Sequence, residues 1–148
     1  MTQVAYLPRA ERPSVSSPTT QWETVEPLNA SAPWMRSALN AVDQVRELPP
    51  GWDGGSSPSI NAAILETARR LIARAAQVEE APEPHVAPVP GGGLQLEWHI
   101  GGRDLELEVL PNGDLAYSME ESGNEVENEL LRLARIDSVE RLVRWLVR

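Results

Sequence analysis

Between Leu94 and Met119 the chain reverses twice at turns that leave it little freedom of register. LQLEWHI and RDLELEVL flank Gly101-Gly102, a two-residue loop of the kind that needs positive φ. Counting outward, Ile100 faces Arg103, Trp98 faces Leu105, Leu96 faces Leu107 and Leu94 faces Val109. Strand side chains alternate with a period of two, so a slip of one residue would destroy the apolar match. At Pro111-Asn112-Gly113 a two-residue Asn-Gly loop would oppose Val109 to Ala116 and Leu107 to Ser118, mixing the faces. A three-residue loop with Gly113 left-handed instead opposes Val109 to Leu115, Leu107 to Tyr117 and Leu105 to Met119. The three-residue loop is expected.

Beyond Met119, ESGN is a turn signal and EVENEL resumes the alternation. A four-residue loop places Met119 opposite Val126 and Leu115 opposite Leu130, again on one apolar face. A helix from about Asn124 is the competing reading, since Val126, Leu130 and Leu133 also fit a helical stripe. The strand is preferred because the register closes. His85 to Pro90 reads as an edge strand, the place where Pro88 and Pro90 are tolerated.

Helices flank this meander. From Pro33 to Leu48 the apolar positions Trp34, Ala38, Ala41, Val42, Val45 and Leu48 recur at helical spacing, with Ser31 as N-cap and Pro49-Pro50 as terminator. A second helix is expected from Ser57, its cap, and Pro58, with the stripe Ile60, Ile64, Ala68, Leu71, Ile72, Ala75 and Val78. Asp137-Ser138-Val139-Glu140 is a capping box for a last helix carrying Val139, Leu142, Val143, Leu146 and Val147. The expectation is an α+β domain over residues 33–148. It has two N-terminal helices, a four- to five-stranded antiparallel meander and a C-terminal helix, with the helices packed on one sheet face.

Residues 1–32 carry Pro8, Pro13, Pro18 and Pro27 among Ser, Thr and Gln, too little apolar surface to offset the entropy of ordering. They are expected to be a flexible or partner-ordered arm. Trp22, Val25 and Leu28 are its one apolar cluster, read either as a strap on the domain or as a linear motif for a partner.

The strand registers also align charge. Residues 91–130 hold ten acidic side chains and one basic, Arg103, a balance of −9 that equals the net charge of the whole chain. In the expected register Glu97 opposes Glu106, followed by Ser118 and Glu127. His99 opposes Asp104, followed by Glu120 and Glu125, and Gln95 opposes Glu108, then Ala116 and Glu129. Like charges opposed across strands are unfavourable. The face is therefore either a solvated surface that protects the sheet or a docking surface for a basic protein. A third reading takes Glu97, His99, Asp104 and Glu106 as the centre of a metal- or carboxylate-dependent hydrolase. A sheet face without a lid offers such chemistry no water-excluded pocket.

Several classes drop out. The chain has no Cys, which removes a disulfide framework, a thiolate metal site and a Cys nucleophile. All 13 basic residues are Arg, so there is no P-loop lysine and no Schiff base. The acidic balance argues against nucleic-acid backbone or an anionic membrane as partner. No signal peptide or membrane span is visible, and a cytoplasmic protein is expected without cofactor or metal.

The loop Pro49-Pro50-Gly51-Trp52-Asp53-Gly54-Gly55 joins the first two helices. Its glycines permit positive φ, Trp52 can plug the end of the core, and Asp53 can accept backbone N–H groups. A ligand loop with Trp52 as stacking platform is the alternative. Read together, LPPGWDGGSSPS and PHVAPVPGGGLQLEWHIGGRDLELEVLPNGDLAYS resemble a group of small, uncharacterised bacterial proteins. Those carry a Gly-Trp-Asp-Gly loop followed by a LEW…LExE…G hairpin. The resemblance covers residues 48–120 and departs at Gly55-Ser56-Ser57-Pro58, where the family pattern is Gly-Ala-x-Pro. It implies the domain and carries no activity with it. The function expected from the residues is a non-enzymatic protein-binding module, an inhibitor, antitoxin-like or accessory protein docking a basic partner. A hydrolase and a structural subunit of a larger assembly are the alternatives.

Overall fold

A computed structural model describes residues 32–131 and 138–148, with backbone alone at Leu130 and Leu131. The expected caps Ser31 and Asp137 and the Trp22, Val25, Leu28 cluster lie outside those residues. Among the described residues three helices and a five-stranded sheet follow in the order α1 (Met35–Arg46), α2 (Ala62–Ala75), β1 (His85–Val89), β2 (Gly93–Ile100), β3 (Arg103–Val109), β4 (Leu115–Glu121), β5 (Asn124–Leu131) and α3 (Ser138–Val147). The sheet is an antiparallel meander with strand order β1-β2-β3-β4-β5.

The first two hairpins have the register expected from their turns. Leu94, Leu96 and Trp98 pair with Val109, Leu107 and Leu105, which pair in turn with Leu115, Tyr117 and Met119. Gly101 and Gly102 both take positive φ, 59° and 80°, as a two-residue turn requires. Gly113 is left-handed at 94°, and the bonds Leu110 N–H to Asp114 O and Gly113 N–H to Leu110 O close the three-residue loop at 2.8 Å each. β1 pairs only with β2, so Pro88, opposite Leu94, sits on an edge strand.

The last hairpin corrects the sequence reading. It is a strand, but its turn is the two residues Ser122 and Gly123, with φ of 55° and 80°, rather than a four-residue loop. A bulge between Met119 and Glu120 then absorbs one residue on β5. Met119 pairs with Glu127 rather than Val126, and Leu115 pairs with Leu131 rather than Leu130. Val126 is left 51% exposed, one of two large apolar side chains so placed among the described residues. The turn geometry overrides the apolar match that favoured the longer loop.

The second helix also begins later than expected. Its N-cap is Asn61, whose Oδ1 accepts the Ile64 N–H at 3.0 Å, and Ser57 and Pro58 precede it in the loop. Ile60 and Val78, assigned to its stripe, are buried outside the helix. In α1 the cap position is held by Trp34 without a side-chain cap bond, and the indole N–H donates to Ala81 O at 2.7 Å instead. In α3, Trp145 is buried beside the expected stripe, a position the apolar pattern passed over.

Ala38, Val42 and Val45 of α1, Ile64, Leu71 and Ile72 of α2, and Val139, Leu142 and Val143 of α3 form one cluster with the apolar sheet residues. Burial alternates along β2 and β3, so the remaining side chains form the opposite face.

Candidate functional site

The face turned away from the core carries three cross-strand rows. Glu97 pairs with His85 on one side and Glu106 on the other, then Ser118 and Asn128. His99 pairs with Asp104, then Glu120 and Glu125. Gln95 pairs with Ala87 and Glu108, then Ala116. The expected face residues of β2 to β4 with a carboxylate or imidazole, namely Glu97, His99, Asp104, Glu106, Glu108 and Glu120, therefore share one surface, and Glu125 of β5 joins them at the edge.

Glu127 does not. The β5 bulge turns it, and Glu129, to the side of Met119 and Tyr117. There the Tyr117 hydroxyl donates to Glu127 Oε1 at 2.7 Å and lies 3.1 Å from Glu129 Oε2, while Arg141 Nη2 of α3 reaches Glu127 Oε1 at 3.1 Å. These contacts, Tyr117 first and Arg141 next, hold the Glu127 carboxyl below the usual carboxylate range. Burial, and then the bond to Glu127, push the Tyr117 phenol up to about 12. Glu127 is thus a tie between the sheet edge and α3, and leaves the docking surface. Gly123 was the available signal, since the two-residue turn that sets this register needs the positive φ that glycine adopts freely, although Ser122 must take it too.

Arg103 is the one basic residue among the strands, and it too faces the helices. It pairs with Ile100, donates through Nε to Glu121 Oε1 at 2.6 Å and through Nη1 to Trp145 O at 2.6 Å, and lies 5.3 Å from the centre of the Trp145 ring. No arginine among the described residues stands on the acidic face. Its own ties are local. The His99 ring is 2.7 Å from Asp104 Oδ1 through Nδ1 and 3.6 Å from Glu97 Oε2 through Nε2, and Gln95 donates to Glu97. The Asp104 hydrogen bond, above all, raises the His99 pKa. Glu106 has no such cation. Its partial burial and the charges of Glu97, Glu108 and Glu120 hold its carboxyl above the ordinary range, with His99 pulling the other way.

That shift has a sign. The folded chain keeps the Glu106 proton to higher pH than the unfolded chain, so stability falls as pH rises from the ordinary value of 4.5 through the raised one. Glu106→Gln is expected to be more stable than wild type at neutral pH and to lose that advantage below the ordinary value. Urea unfolding at the two pH values checks it, and a variant no more stable at neutral pH contradicts it.

The Gly51, Trp52, Asp53, Gly54 loop is built as a staple. Asp53 Oδ1 accepts Gly55 N–H at 3.0 Å and Ser57 N–H at 3.3 Å, and Asp53 Oδ2 accepts the Ser57 hydroxyl at 2.5 Å. The Ser57 hydroxyl, and then Gly55, hold the Asp53 carboxyl below its usual range. Ser57 Oγ also accepts Gly91 N–H at 3.0 Å, which joins this loop to the β1–β2 turn. Trp52 donates its indole N–H to Pro58 O at 3.1 Å. These polar groups are occupied by one another, but Trp52 does not plug the end of the core: it is half-buried and stands outside the core cluster and the side chains packed against it.

Among the described residues no group of three or more His, Asp or Glu is placed to hold a metal ion. None of the described helices is long and apolar enough to cross a membrane. Comparison with protein-family models, with curated proteins and with solved structures finds no match to the chain.

Proposed function

We propose that the protein is a binding module whose acidic sheet face docks a basic protein partner. The observation that supports this reading is the segregation of charge. Glu97, Asp104, Glu106, Glu108, Glu120 and Glu125 share a face, while Arg103 and Arg141 are committed on the other side. Adjacent carboxylates without a cation raise the energy of the free face. Of these carboxylates Glu97 and Asp104 are tied to His99, and a partner that brings arginine or lysine to the others relieves that repulsion without first breaking an internal ion pair. His99, tied to Asp104 and Glu97, is the one imidazole among the β2–β4 carboxylates and belongs to the same surface.

An exposed sheet face suits a flat protein surface better than a small substrate, and it excludes no water from the Glu97, His99, Asp104, Glu106 group. Catalysis by that group is for this reason the weaker reading. The partner would be recognised by charge first, so its association rate and affinity fall as salt rises.

The test is reversal of Glu97, Glu106 and Glu108 to Arg, with the tagged protein used as bait in an extract of its native host. All three side chains lie off the core, and circular dichroism checks that the fold is kept. Wild type is expected to retain a basic protein in a salt-sensitive way. Close charge pairs couple by about 1.5 kcal/mol or more, so three reversals are expected to weaken binding by at least about 100-fold. Capture that survives the reversal with the same salt dependence sinks the docking face.

A further inference from the structure

On the helix side, and independent of the acidic face, a cleft of about 500 Å³ lies between α3 and the segment that follows α2. Its apolar walls are Val78, Trp145 and Val147, and Arg141, Arg144 and Arg148 line it with Glu79 as the one acidic side chain. Three guanidinium side chains stand against the Glu79 carboxylate there, in a chain whose net charge is −9, and two of the three, Arg141 and Arg144, already face Glu127 and Glu140. The arginines differ in how far they are committed. Arg141 is held by Glu127 at 3.1 Å, Arg144 reaches Glu140 only at 3.6 Å with its side chain 62% exposed, and Arg148 has no ion-pair partner among the described residues.

We infer that this cleft binds a small molecule with an apolar body and a single carboxylate. The body lies against Val78, Trp145 and Val147, removing apolar wall from water. The carboxylate meets the forked donors of Arg144 and Arg148, whose planar geometry matches its two oxygens. Both cations have donors to spare, so the ligand gains charge-assisted hydrogen bonds without displacing an internal partner. A neutral ligand of the same shape would gain only the apolar part.

Sodium octanoate is the probe, with octan-1-ol as its uncharged counterpart, titrated into the full chain and followed by amide and indole shifts in nitrogen-edited NMR. Octanoate is expected to produce saturable shifts centred on Val78, Trp145 and Val147. Octan-1-ol is expected to bind at least about tenfold more weakly, and Arg144→Ala and Arg148→Ala are each expected to weaken octanoate by about tenfold. Both arginines are exposed, so the variants keep the fold, which the same spectra verify. Equal affinity for acid and alcohol, wild-type affinity in both variants, or shifts that do not saturate overturn the assignment. Because the readout does not involve Glu97, Glu106 or Glu108, its outcome is separate from that of the docking-face experiment.

Discussion

Trp98→Ala is expected to remove a fifth or more of the stability of the domain. Trp98 is 2% exposed on β2, opposite Leu105, and its ring sits inside the single core cluster. Truncating a buried Trp to Ala costs about 3–5 kcal/mol, the lost transfer energy of the ring plus the cavity it leaves. Domains of this kind have about 5–15 kcal/mol in total, so the midpoint of thermal unfolding should fall by on the order of 10–20 °C. The indole N–H adds a second component. It donates to Pro82 O at 2.8 Å, next to the Ala81 carbonyl that Trp34 holds at 2.7 Å, so two indoles clamp successive carbonyls of the connection into β1. Trp98→Phe keeps most of the ring and loses the donor. It is expected to cost about 1–2 kcal/mol, because a carbonyl that lies partly out of water loses its partner. If the Phe variant were as unstable as the Ala variant, the hydrogen bond rather than the packed ring would be the dominant contribution.

The two hairpins around β3 were legible because each turn demanded glycine where the chain has it, and each register aligned one apolar face. The same registers placed Glu97 beside Glu106 and His99 beside Asp104 on the opposite face, so most of the candidate site could be read from alternation alone. β5 broke the rule at one residue. Its apolar pattern favoured Val126 opposite Met119, but the Ser122-Gly123 turn and the bulge put Glu127 there. A carboxylate is tolerable on that side only because Tyr117 and Arg141, ten and fourteen residues away, meet it. No local pattern announces such partners.

The start of α2 was missed for a related reason. Ser57-Pro58 has the local form of a helix start, yet the Ser57 hydroxyl is taken by Asp53 and by Gly91, 34 residues on. Asn61 caps the helix in its place. Arg103, in contrast, was decidable from sequence. It is the partner of Ile100, which belongs to the core parity of β2, so the one strand cation had to point away from the acidic face.

Glycines that look alike in the sequence separate sharply in the fold, and this gives the second large effect. Gly93→Val is expected to be strongly destabilising, and Gly93→Ala measurably so. A Cβ at Gly93 would lie 2.8 Å from the carbonyl oxygen of Val109, a backbone atom in β3 that cannot rotate away, and 3.6 Å from the Val89 Cβ. Relief requires β2 and β3 to move apart where Leu94 pairs with Val109, both fully buried. Overpacking of this kind costs about 1–3 kcal/mol. The stiffening of the unfolded chain by Ala returns about 0.4–1 kcal/mol of it, and the branched side chain of Val adds further overlap. Gly55 is the control. Its Cβ would meet nothing closer than 3.6 Å, and its φ lies outside the left-handed range, so Gly55→Ala is expected to leave stability unchanged or to raise it by about 0.4–1 kcal/mol. Urea denaturation of the three variants settles the order. Equal stability of Gly93→Ala and Gly55→Ala would mean that the close approach of β2 to the Val109 carbonyl does not exist in solution, and the register that carries the acidic face would have to be drawn again from its Gly101-Gly102 end.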